Sequence, residues 1–262
     1  MLMNCWLCNN HIRAGGGGAL FNYGGGQPTI IQCVFTGNSA AVGGAISNEE
    51  GSPTRVINCT LYNNWAVRGG AIYNHCVVSN CILWGNQSDE IDQEKFGPTI
   101  TYSDIAGGWR GEGNIRVDPC FVKTGYWADP NNVDVPVSSS RPNAVWIEGD
   151  YHLKSQAGHW DAVSGNWRID DVTSPCIDAG DPASPIGSEP FPNGGRINMG
   201  AYGGTSEASR SYFGGPVCET IIPGDINGDC QVDFADLAIM ASHWSWNADA
   251  LPAVPSPDSI QR

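Results

Sequence analysis

The segment Gly17-Gly18-Ala19-Leu20-Phe21-Asn22 returns as Gly43-Gly44-Ala45-Ile46-Ser47-Asn48 and again as Gly69-Gly70-Ala71-Ile72-Tyr73-Asn74. The asparagines at 22, 48 and 74 set the copies 26 residues apart. A second series runs beside it: Asn4-Cys5, Gln32-Cys33, Asn58-Cys59 and Asn80-Cys81, each followed by a short apolar stretch and then by Asn10, Asn38, Asn64 or Asn86. A period of this size marks a repeat architecture, in which each unit is too small to bury its own apolar residues and does so by stacking on the next. Gly and Asn tolerate the positive φ of tight turns, so each unit reads as short strands joined at sharp corners. Equivalent residues then lie one strand spacing apart. Cys5, Cys33, Cys59 and Cys81 are expected to form an inward ladder. Asn22, Asn48 and Asn74 are expected to form a hydrogen-bonded turn ladder.

The composition agrees with many short strands. Among 262 residues there are 34 Gly, and only 15 % are charged. The net charge is −14, from 13 Lys and Arg against 27 Asp and Glu. No basic stripe is visible, so nucleic acid is excluded as a partner and an anionic membrane surface is a poor one. No apolar run is long enough for a membrane-spanning helix. The 10 Cys fit an oxidising compartment. Zinc is not expected, because the one C-x-x-C spacing, Cys5 and Cys8, has no second pair. The ladder cysteines read as small apolar packing groups. No leader is visible, and the repeat begins so near Met1 that the N-terminus is expected to be truncated.

These repeats resemble those of right-handed parallel β-helix proteins, and the Gly-Gly-Ala-Ile-x-Asn pattern is similar to that of bacterial polymorphic outer-membrane protein repeats. The resemblance covers about the first third of the chain. It implies an all-β solenoid and an extracellular or cell-surface location, but no single activity, since such scaffolds host lyases, hydrolases and adhesins.

Residues 1–105 are thus expected to form regular coils. From 106 to 215 the pattern loosens, with strand-like Asp118-Pro119-Cys120-Phe121-Val122 and Tyr151-His152-Leu153, and this span reads as terminal coils and cap. Trp109, Trp127, Trp146, Trp160 and Trp167 fall within it. Flat aromatic rings can stack on sugars, although packing of loops and cap is the plainer role. Asp89, Glu90, Asp92 and Glu94 read as a solvated loop. His11, His75, His152 and His159 have no partner evident in the sequence. Asp161, Asp170, Asp171, Asp178 and Asp181 lie where stacking cannot be inferred. A β-helix lyase or hydrolase needs acids converging from neighbouring coils, and Glu49 and Glu50 have no carboxylate one repeat away.

A separate module spans 216–246, followed by a Pro-rich tail at 247–262. Within Asp225-Ile226-Asn227-Gly228-Asp229-Cys230-Gln231-Val232-Asp233-Phe234-Ala235-Asp236, oxygen side chains stand at positions one, three, five, nine and twelve. That spacing wraps oxygens around one hard cation, with the Gln231 backbone carbonyl as a further ligand. Val232 is expected to anchor the loop to a core. A helix should follow, with Phe234, Leu237, Ala241 and Trp244 on one stripe.

The loop resembles a type I dockerin calcium repeat. The resemblance implies Asp225, Asn227, Asp229, Asp233 and Asp236 as side-chain ligands and calcium as the cofactor. It departs from an ordinary EF-hand at Cys230, where glycine is usual, and at Asp236, where glutamate is usual. Dockerins carry two such repeats and this chain has one, so a cohesin-like partner is in question. Cys218 and Cys230 are the best disulfide candidate.

The expected function is a secreted or surface β-helix with a structural, adhesive or polysaccharide-associated role. The alternatives are a polysaccharide lyase or glycoside hydrolase tethered through the module, or a non-catalytic polysaccharide-binding module. The chain is expected not to be an enzyme itself.

Overall fold

The computed structural model describes residues 1–49, 51–92, 97–138, 143–214, 222–227 and 230–242. Its first part is a parallel β-solenoid of four coils and a fifth begun. Strands β1 (Leu2–Met3), β4 (Thr29–Ile31), β7 (Thr54–Ile57), β10 (Cys76–Ser79) and β13 (Thr99–Thr101) stack as one sheet. A second sheet holds β2 (Trp6–Cys8), β5 (Val34–Thr36), β8 (Thr60–Tyr62), β11 (Ile82–Trp84) and β14 (Asp104–Ile105). The third holds β3 (Leu20–Asn22), β6 (Ile46–Asn48), β9 (Ile72–Tyr73) and β12 (Ile91–Asp92).

The period is not constant. Leu2 pairs with Ile30, Ile30 with Val56, Val56 with Val78 and Val78 with Ile100, which gives coils of 28, 26, 22 and 22 residues. Length varies because the corners absorb it while the strands keep register.

Each corner has a column of left-handed residues. Asn4, Gln32, Asn58, Asn80 and Tyr102, between the first and second sheets, have φ of 50°, 51°, 45°, 54° and 47°. Asparagine suits this region because its short polar side chain lowers the steric cost. At the third corner the two glycines have different reasons. Gly43 has φ +61°, whereas Gly44 has ordinary φ but its absent Cβ would lie 2.2 Å from the Gly70 carbonyl oxygen one coil away.

The interior is apolar. Ile30, Val56 and Val78 from the first sheet meet Phe35, Leu61 and Leu83 from the second and Ile46 and Ile72 from the third, all fully buried. At fully buried size each contributes about 1.5–3 kcal/mol. The expected ladders line the corners. The Cys33 N–H donates to Cys59 Sγ at 3.4 Å, Cys59 N–H to Cys81 Sγ at 3.3 Å, and Cys81 N–H to Ser103 Oγ at 3.1 Å, so serine takes the fifth rung. Asn10, Asn38 and Asn64 each donate through both backbone and side chain to the amide oxygen of the next coil's asparagine. Asn86 ends this column by donating to the Glu90 carboxylate. Glu90, expected in a solvated loop, is therefore buried, and Asp92 pairs with Arg68 at 2.7 Å. Asn22 Nδ2 donates to Asn48 Oδ1 at 3.2 Å, and Asn74 Nδ2 to the Asn48 carbonyl at 3.2 Å.

The region after Ile105 differs from the expectation of further coils. Only the loop 106–116 caps the stack: Trp109 packs on the inner core, and the Asn114 side chain bonds Ser103 N–H and the Ile100 carbonyl. Beyond it, strands pair antiparallel. β15 (Phe121–Lys123) pairs with β19 (Asp150–Leu153); β16 (Tyr126–Asp129) lies between β17 (Asn132–Pro136) and β18 (Val145–Ile147); β20 (His159–Asp161) pairs with β21 (Asn166–Arg168). This flank lies along the outer face of the second sheet rather than on the end. Val34 and Ile82, which point outward from the solenoid, form a second core with Phe121, Tyr151, Cys176 and Met199. Polar bonds fix it: Asn58 Nδ2 donates to the Asn198 carbonyl at 3.1 Å, and Gly200 N–H to the Asn80 carbonyl at 2.8 Å. A sheet apolar on both faces needs such a cover.

Candidate functional site

The residues predicted to hold calcium lie in a turn that leads into α1 (Phe234–Ser242). Asp225, Asn227 and Asp236 are buried. Asp225 Oδ2 accepts the Cys230 N–H at 2.9 Å, which folds the start of the loop over its middle. Cys230 has φ +70°, so the position where glycine is usual does adopt the left-handed conformation glycine would supply. Cys230 is disulfide-bonded. Asp229 and Cys218 lie outside the described residues, as does Trp244 of the expected stripe.

Asp233 and Asp236 together cap the start of the helix. Asp233 Oδ1 accepts the Ala235 N–H at 2.7 Å, and Asp236 Oδ2 accepts the Asp233 N–H at 2.8 Å. Asp236 Oδ1 also accepts the Ile226 and Asn227 N–H groups at 2.6 and 3.0 Å. These donors, that of Asp233 foremost, hold the Asp236 carboxyl below the usual range. The side chains present oxygen, most of it from carboxylates, which fits a hard divalent cation. The described residues alone include no group of three or more His, Cys, Asp or Glu converged for a metal. The anchoring expected of Val232 is not seen: it is 58 % exposed, and Phe234 and Leu237 on the helix are exposed too.

Asp161, Asp170, Asp178 and Asp181 are committed to bonds within the flank. Asp161 closes the β20–β21 hairpin by accepting Val163 N–H and Ser164 Oγ–H and pairing with Arg168, and its carboxyl falls to about 2, chiefly through Ser164. Asp170 Oδ2 accepts the Ser155 N–H at 2.8 Å and lies 2.7 Å from His159 Nδ1. Asp178 Oδ1 accepts the Gly194 N–H, and Asp181 Oδ1 the Ala183 N–H. The histidines thus have partners that the sequence did not disclose. His11 Nδ1 is 2.6 Å from Ser39 Oγ. His152 Nδ1 is 2.6 Å from Asp150 Oδ1, and its ring stacks on Tyr202 with centroids 3.6 Å apart.

Three buried carboxyls stand out electrostatically. Burial pushes Glu90 and Glu189 up to about 7 and Asp104 to about 6, against the hydrogen bonds that favour their charged forms. They bind the fold rather than one another: Glu189 Oε1 accepts Asn198 N–H and Gly204 N–H, and Asp104 accepts Val117 N–H and the Cys176 thiol. Three buried thiols are held protonated. The Cys59 thiol beside it, and then burial, push Cys33 up, while burial dominates at Cys59 and drives Cys76 to about 12, so none of these three is a ready thiolate.

The tryptophans form two cross-strand pairs, Trp127 with Trp146 at 5.4 Å and Trp160 with Trp167 at 5.5 Å, both edge-to-face. A groove of about 410 Å³ opens between Trp127 and the solenoid, lined there by His11, Ser39, Trp65 and Gln87.

Residues 32–49 and 58–75 match the repeat of the Chlamydia polymorphic membrane proteins. No curated protein and no solved structure matches the chain.

Proposed function

We propose that the chain is a surface-displayed solenoid scaffold that carries a calcium-binding, dockerin-like docking module. The observation that carries the scaffold reading is the fit between the matched repeats and the coils. Each matched segment begins at a left-handed corner residue, Gln32 or Asn58, and runs through one strand of the second sheet and one of the third. The repeat thus supplies a rigid stack whose inner groups are spent on packing. Resemblance of the repeats also favours a right-handed winding and an extracellular or cell-surface setting. No described helix is long and apolar enough to cross a membrane.

In this reading Asp225, Asn227, Asp229, Asp233 and Asp236 hold calcium by side-chain oxygens and Gln231 by its carbonyl. The ion supplies charge neutralisation in an acidic loop, and the loop fixes the start of α1. The exposed Phe234 and Leu237 then offer an apolar helix face to a cohesin-like domain, while a polysaccharide is the partner on the solenoid side. Left-handed Cys230 supports the loop assignment, because an acidic turn before a helix does not require that conformation at its sixth position.

Calorimetric titration with calcium on the whole chain and on an Asp225→Ala, Asp229→Ala variant tests the module. Saturable binding to the parent and none to the variant is expected. A parent that binds no calcium reduces Asp233 and Asp236 to a helix cap and removes the docking module from the reading.

A further inference from the structure

We propose that the groove between the solenoid and the β16–β18 meander is a binding site for a neutral oligosaccharide. It rests on the reading of a polysaccharide partner on the solenoid side, which it deepens, and it does not depend on the calcium loop.

One wall is a ladder. His11 bridges Ser39, Ser39 bridges Trp65, and Trp65 bridges Gln87, each one coil from the last. At one strand spacing per coil these four rungs extend over about 14 Å along the solenoid. Trp65 is 41 % exposed although it sits between polar rungs. Asn63, with φ +51°, turns the chain just before it and lines the same groove.

The opposite wall is Trp127, and it is held in place. Trp127 packs edge-to-face on Trp146. The Trp146 ring covers Gly37 so closely that a Cβ there would lie 2.8 Å from it. Trp146 Nε1 donates to Glu148 Oε2 at 3.0 Å, and Glu148 Oε1 accepts the Thr36 hydroxyl at 3.0 Å. The meander is thereby fastened to the second sheet, and the two tryptophans across the groove are pre-positioned. Fixing the site in advance lowers the ordering cost of binding.

The chemistry of the lining selects the ligand. Among the described residues, no Asp, Glu, Lys or Arg lines the groove, in a chain of net charge −14. An ionic ligand finds no counter-charge among them, and an acidic polysaccharide meets a repulsive field. What the groove does offer is two indole rings together with the amides of Asn63 and Gln87, the Ser39 hydroxyl and the His11 ring. Flat apolar faces edged with donors and acceptors match a pyranose ring, which has apolar C–H faces and a rim of hydroxyls.

The test is titration of the whole chain, with and without calcium, against neutral hexasaccharides of glucose, mannose, xylose and N-acetylglucosamine, with polygalacturonate and a proline decapeptide as contrasts. At least one neutral hexasaccharide is expected to bind. Trp65→Ala, at an exposed position, should weaken it at least about tenfold with an unchanged melting temperature, and Gln87→Ala should weaken it less. Failure of all four sugars overturns the proposal, as does sugar binding that Trp65→Ala and Gln87→Ala both leave intact. Binding of the decapeptide alone reassigns the groove to extended polypeptide and overturns it equally.

Discussion

A Cβ on Gly44 would lie 2.2 Å from the Gly70 carbonyl oxygen and 2.7 Å from that of Trp65, and neither atom can swing aside as a side chain would. Gly24 is the useful contrast: its φ is +72°, but nothing lies within 4 Å of its missing Cβ. Gly44→Ala must push two coils apart and should cost about 3 kcal/mol. Gly24→Ala bears only the left-handed strain of about 1–2 kcal/mol. Thermal melts of the two variants should fall in that order, and equal losses would mean that coil spacing does not depend on the glycine column. The doublet was legible in the sequence as a turn signal, since it recurs. That its second glycine answers to a neighbouring coil was not, because the atom it must avoid is 26 residues away. Glu90 was misread for a similar reason. Its sequence neighbours are acidic, and only the stacked Asn86 reveals that its carboxylate is the acceptor that ends a ladder.

Among the elements, the asparagine column is densely hydrogen-bonded. Asn64 Oδ1 accepts the backbone and side-chain N–H groups of Asn38, while its own Nδ2 donates to the Phe35 carbonyl and to Asn86. All of these are buried, so Asn64→Ala leaves the Asn38 backbone N–H without its acceptor, while Asn38 Nδ2 keeps only its bond to the Leu7 carbonyl. At about 1–3 kcal/mol for an unsatisfied buried group, the variant should lose that much and lose cooperativity in urea unfolding. Asn10→Ala, at the partly exposed first rung, should lose far less. Full stability in Asn64→Ala would make the column ornamental. The strands themselves were readable from the repeats. The antiparallel flank was not, because β15 to β21 repeat nothing, and their partner surface is Val34 and Ile82, whose outward direction follows only from the two-residue alternation within very short strands. In the loop from Asp225 to Asp236 the oxygen spacing was plain in the sequence, whereas the helix cap made by Asp233 and Asp236 emerged only from the helix start at Phe234.

Over the whole molecule, the buried acids set a pH dependence. Glu90, Glu189 and Asp104 titrate near 7, 7 and 6 in the folded chain, against 4.5, 4.5 and 3.8 ordinarily. The folded state therefore holds these protons more tightly than the unfolded state does. Their contribution is fully present below the unfolded values, near pH 4, and is lost as pH rises through 6 to 7. Asp161 and Asp236 act in the opposite sense, since their carboxyls are lowered: their contribution is present above about pH 4 and lost in stronger acid. The net charge of −14 adds self-repulsion at high pH. The melting temperature should thus peak near pH 5 and fall towards pH 8. For Glu90 alone the span is worth about 3 kcal/mol at most. Glu90→Gln carries no titrating proton, so its profile should be flatter between pH 5 and 8. A parent chain that gains stability from pH 5 to 8, or a Glu90→Gln profile parallel to the parent's, would show that these carboxyls are hydrated enough to ionise without disturbing the stack, and that the end of the asparagine column admits water.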